Sequence, residues 1–227
     1  MNQTLALRTG RWALVAGVIG ILAVGLLIAA LAAPTPEPDT MRRETSLFAW
    51  QNAAVVLQAL AMLPVTCGLY NLTLQQAPLE SGRGSLWLGL VAQTGVVIAS
   101  ALLFNHSVSD MLYMGPIGLV GIWLLTVSRR GDNVILSGLV WLGRIAGVGL
   151  LTVGLGFLIY GAFVAPAVFI RPLTNAEIDA QSLTFANLIA HICMAVGTVL
   201  GRLIYPIWTI VLGRRLMAIS PNLPMSV

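Results

Sequence analysis

Long charge-free apolar runs recur along this sequence at the length of a lipid bilayer. Residues 12–33 hold 22 apolar or small side chains without a charge. As a helix rising 1.5 Å per residue, such a run crosses about 30 Å of hydrocarbon. Composition agrees: 58% of the 227 residues are hydrophobic and 9% are charged, against about 25% charged in soluble domains. Such a chain lacks the polar side chains to cover a water-facing surface, so it reads as an integral membrane protein.

Loops between the runs are marked by proline, glycine and charge. Pro34, Pro36 and Pro38 end the first run, because proline lacks the N–H donor and clashes with the preceding turn. Six spans result, at residues 12–33, 47–72, 86–104, 111–127, 145–165 and 185–212. The expected fold is all-α: a single six-helix transmembrane bundle. The first run exceeds the 7–15-residue core of a signal peptide, so it is read as an uncleaved first helix. Residues 134–142 are apolar but too short to span, and either lie at the interface or extend the fifth helix.

All twelve basic residues are arginine. With the N-terminus inside, Arg8, Arg11, Arg83, Arg129, Arg130, Arg144, Arg214 and Arg215 fall on inner segments. Arg42, Arg43 and Arg171 fall on outer loops. The positive-inside rule then puts both termini in the cytoplasm, in a bacterial inner membrane. The basic balance is a topology signal, and nucleic acid is not an expected partner. The expected partners are the lipid bilayer and other membrane helices or a second copy of the chain.

Catalytic motifs are missing. There is no HExxH, no GxSxG and no phosphate-binding glycine loop. Cys67 and Cys193 sit far apart in apolar runs and read as small buried hydrophobes. No acidic residue lies securely inside a span; Asp110 is at a helix edge. His106 and His191 fall toward the same side of the membrane, which permits joint ligation, but two histidines alone specify no metal or haem. No cofactor is assigned.

The polar residues inside spans are more informative. Asn187, His191, Thr198 and Arg202 fall in a sector of roughly 60° on the last helix at 3.6 residues per turn. Topology then splits the stripe, with Asn187 and His191 in the outer half and Thr198 and Arg202 in the middle or inner half. An arginine at the bilayer centre costs about 2.5–3.5 kcal/mol on insertion scales. Three placements of Arg202 are open. It sits at mid-depth among Gln51, Gln58 and Gln93, or snorkels to an inner aromatic belt with Tyr205 and Trp208, or meets an anion or headgroup from a cavity. Arg202, His191, Asn187, Gln51, Gln58 and Gln93 make up the candidate intramembrane polar site.

Glycines form a second pattern. Gly147, Gly154 and Gly161 recur every seven residues, and Gly143/Gly147 and Gly197/Gly201 are GxxxG steps. Small residues at these spacings let helix backbones approach closely. Three functional classes stay open. The leading one is a non-enzymatic structural or accessory membrane component working through these seams. The others are a small-molecule or lipid binder or transporter, and a haem-binding or enzymatic protein resting on the histidines.

Three stretches resemble a bacterial six-helix membrane family catalogued as domain of unknown function 4386. The second span ends Gly68-Leu-Tyr-Asn-Leu72, the fifth opens Gly143-Arg-Ile-Ala-Gly147, and the last carries Gly201-Arg-Leu followed by Trp208 and Gly213. The resemblance implies the six-helix topology and no established activity. Where that family is expected to carry an acid, this chain has Arg202, so a role needing a carboxylate there does not transfer.

Overall fold

The structure is a computed structural model describing residues 3–32, 46–74, 79–103, 111–129, 138–171, 173, 177, 181 and 184–219. Among them there are six long helices and no strand: α1 (Gln3–Ala32), α2 (Ser46–Leu74), α3 (Leu79–Leu103), α4 (Met114–Arg129), α5 (Val140–Phe163) and α6 (Phe185–Ile219). A 3₁₀ turn, Pro166–Phe169, follows α5. All but α4 are long and apolar enough to cross a membrane. The protein is an all-α bundle of membrane-spanning helices. Residues 138 and 139 lead directly into α5, Gly138 with a positive φ of 73°. His106, Asp110 and Arg130 lie outside the described residues.

Several expected boundaries shift: α3 and α5 start earlier, at Leu79 and Val140, and α6 runs on to Ile219. α1 begins at Gln3, so Arg8 and Arg11 are part of the helix rather than a lead before it. α4 has 16 residues, about 24 Å, and is shorter than the hydrocarbon.

The helices run up and down in a closed ring. Each packs on its sequence neighbours, and Leu203–Ile219 of α6 returns to α1. The upper end is defined here as the one where α2, α4 and α6 begin. Seven arginines (Arg8, Arg11, Arg83, Arg129, Arg144, Arg214 and Arg215) lie toward the lower end, and Arg171 lies at the upper end. Trp141 and Phe163, 70% and 75% exposed, mark the two rims of α5. They are 22 residues apart, about 33 Å of helix, which matches a bilayer core.

Glycine allows the ring to be this tight. A methyl group at Gly154 of α5 would lie 2.6 Å from the Cα of Gly118 of α4, and one at Gly121 2.6 Å from the carbonyl oxygen of Gly147. On the other side of α5, Gly149 meets the backbone of Gly201, and a methyl at Gly197 would lie 2.6 Å from the Gly149 carbonyl oxygen. Gly10 and Gly213 make a similar approach between α1 and α6. These are the distances at which no side chain fits and helix backbones touch.

α6 is not a uniform helix. Residues Thr198–Arg202 form a π-turn, and Pro206 follows inside the helix. Proline removes the N–H that would meet the carbonyl four residues earlier, here Arg202, and its ring crowds that carbonyl. The wide turn sits directly before this fault, and a π-turn and a proline are each known causes of helix kinks. Below it, Leu203–Ile219 packs on α1; above it, Phe185–Gly197 packs on α5 and leaves α1.

Candidate intramembrane site

The lower half of the bundle is solidly filled. Tyr205 stacks on Trp208 at 6.3 Å between centroids, and Trp208 meets Trp123 edge-on at 6.4 Å. Met62 and Val65 of α2 are fully buried at the same level. This corrects one expected placement of Arg202: Tyr205 and Trp208 are interior residues, not an interfacial belt toward which it snorkels. The exposed tryptophans are Trp12, Trp50, Trp87 and Trp141.

Above that aromatic floor lies a cavity of about 60 Å³. Its polar lining is Gln51 and Gln58 of α2, Gln93 of α3, and Arg202 and Tyr205 of α6. Gln51 and Gln58 are two turns apart on one face, so they descend about 10 Å from near the top of α2. Gln93 Nε2 donates to the Tyr205 hydroxyl at 3.0 Å, and both side chains are buried. The remaining wall is apolar, with Val55, Val96, Ile117, Val120 and Leu150. α1 contributes Gly20, Ala23, Val24 and Leu27, a stripe at helical spacing. Gly20 has no side chain because the Gln58 amide occupies that space.

Arg202 is the middle residue of α6. Its helix turn packs at Gly149 and Leu150, eight to nine residues above Trp141, or about 12 Å inside the lower rim. A helical Cα–Cβ bond tilts toward the helix N-terminus, here upward. The guanidinium follows that direction, and its central carbon lies 4.9 Å from the centroid of the Tyr113 ring, just before α4. Its Nη2 is buried and has no hydrogen-bond partner among the described residues; the same holds for Nε2 of Gln58. No described carboxylate lines the cavity. The result is a half-buried cation with amide and hydroxyl groups in the same cavity and a buried, unused Nη2 donor.

The other two candidates lie elsewhere. Thr184 caps the start of α6, accepting from the Asn187 N–H at 3.3 Å. His191 Nδ1 is 2.8 Å from the Asn187 carbonyl oxygen, and the ring packs edge-on against Tyr160 at 5.7 Å. Tyr160 in turn donates to Gln181 Oε1 at 2.9 Å. Nearby, Arg171 pairs bidentately with Glu177; hydrogen bonding and the opposite charge raise the guanidinium pKa above its usual value. This is an upper-rim cluster, so the polar stripe of α6 divides between two places. No group of three or more metal-ligating side chains occurs among the described residues.

The packing glycines are all engaged within the chain. Gly147 and Gly154 face α4, and Gly143 faces Ser128 and the Trp208 indole. Gly161 accommodates the Phe169 ring of the 3₁₀ turn, and Gly197 and Gly201 face α5. Sequence spacing missed Tyr113, Tyr205 as a site residue and the α1 stripe. The alternation of Gly20, Ala23 and Leu27 at i, i+3 and i+7 was the one available signal for that stripe. Tyr113 reaches Arg202 through tertiary placement. No family model, curated protein or solved structure matches the chain.

Proposed function

We propose that this membrane protein binds a small ligand carrying an anionic or carbonyl oxygen in the cavity at Arg202. The observation that carries this reading is the buried, unpartnered Nη2 of Arg202 in a cavity without a described carboxylate. A buried charge lacking a counter-ion is destabilising, and a bound anion removes that cost. Gln58 adds a second unused donor, and the apolar wall suits a largely hydrophobic molecule. The packed aromatic floor favours a closed-ended binding site over a conduit. The glycine seams that spoke for an accessory role are filled by the chain's own helices and supply no free docking face.

By the positive-inside rule, the arginine-rich lower end faces the cytoplasm, which puts both termini there. Kinship with the six-helix family named above rests on the three quoted stretches and belongs to the same proposal. Benzoate titration tests the binding reading. In purified protein it should raise the thermal midpoint of the wild type and leave Arg202→Gln unmoved, since a ligand stabilises only the state that binds it. Equal shifts in both, or none in the wild type, would refute the reading.

A further inference from the structure

Helix pairing is uneven beside the cavity. α1 packs along Leu203–Ile219 of α6 and makes little or no contact with Phe185–Arg202, so the two helices part at the level of Arg202. The π-turn and Pro206 sit at the parting point. On α1 the cavity stripe of Ala23, Val24 and Leu27 flanks this cleft. On α6, one turn above Arg202, Val199 is 62% exposed, and Val196 is 50% exposed. Apolar side chains therefore flank the cleft on both helices between the position of a bilayer's hydrocarbon and the half-buried Arg202.

Building on the cavity reading, we propose that the ligand is a single-chain lipid with a carboxylate head, a free fatty acid, entering sideways between α1 and α6. Three physical points select it. A cavity of about 60 Å³ takes a head and its first methylenes, so the rest of the ligand has to lie outside in hydrocarbon. Arg202 sits about 12 Å inside the rim, beyond the level of phospholipid phosphates. A carboxylic acid can travel through hydrocarbon protonated and neutral, because desolvation favours that form, and ionise beside a guanidinium. A phosphodiester has no such neutral form near neutral pH. Arginine and carboxylate then make the charge-assisted pair that the bare Nη2 lacks.

The test uses the full chain in phosphatidylcholine nanodiscs with a photoactivatable fatty acid bearing a mid-chain diazirine. Labelling should concentrate on Val24, Leu27, Val196 and Val199, persist in Arg202→Lys, and fall at least tenfold in Arg202→Gln. On the wild type, unlabelled oleate should compete and oleyl alcohol should not; this comparison holds even if the glutamine variant does not fold. Labels spread evenly over the lipid-facing surface, or equal competition by the alcohol, would overturn the proposal. Benzoate stabilisation without fatty-acid labelling overturns the lipid assignment and leaves the cavity reading standing. Failure of both removes both.

Discussion

The guanidinium of Arg202 lies over the ring of Tyr113, 4.9 Å from its centroid, and this is the stabilising partner of that cation among the described residues. A desolvated cation–π contact contributes about 2 kcal/mol, less than a buried charge pair. Arg202→Met should therefore raise the thermal midpoint of ligand-free protein, since it removes a half-buried cation whose Nη2 is desolvated without a counter-ion. Thermal unfolding in detergent checks the sign. A clear fall in midpoint would mean that the arginine is structurally paired.

Tyr113→Leu should cost about 1–2 kcal/mol in the wild type and much less in the Arg202→Met background. Tyr113→Phe should be nearly neutral, because the ring rather than the hydroxyl faces the cation. Denaturant unfolding of the four-member cycle measures the coupling.

Gly201→Ala should destabilise the protein by about 1–3 kcal/mol, because a methyl there meets the backbone of Gly149 and Leu150. Gly25→Ala is the control. Nothing lies within 4 Å of a methyl at Gly25, and alanine gains about 0.5–1 kcal/mol over glycine in a helix. Opposite signs for the two substitutions are expected in the same unfolding assay.

Tyr205→Phe should cost about 1–3 kcal/mol by stranding the Gln93 amide, which donates to the lost hydroxyl. Adding Gln93→Leu should recover part of that loss, because both polar partners are then gone. A double variant at the sum of the single costs would show that the bond contributes little.

Pro206→Ala restores an N–H below the carbonyl of Arg202. The π-turn should tighten and the upper half of α6 swing toward α1. Spin labels at Val24 and Val196, read by pulsed dipolar spectroscopy, should report a shorter separation than in the proline-bearing protein. An unchanged distance would assign the cleft to packing on α5 instead.

The six-helix architecture was legible in the sequence because a spanning helix needs about 20 apolar residues whatever its neighbours are. Three of the four glutamine and arginine candidates could be joined to the fourth for a related reason: few polar side chains sit inside such runs, and Gln51, Gln58, Gln93 and Arg202 have one interior to share. Spacing also identified Gly197 and Gly201 as contact residues, but not what they touch. Gly149, their actual partner, falls outside the seven-residue glycine repeat on α5.

The sequence by itself determined a membrane-spanning helical chain, its polar interior residues and its arginine bias, because hydropathy and backbone satisfaction in lipid act along each segment. Tertiary structure decided the rest. It set His191, already expected in the outer half, against Tyr160, brought Tyr113 over Arg202, and opened α6 away from α1 at a π-turn. A regular 3.6-residue period cannot foresee that turn, since it arises where a proline-broken helix meets glycine backbone on one side and leaves α1 on the other.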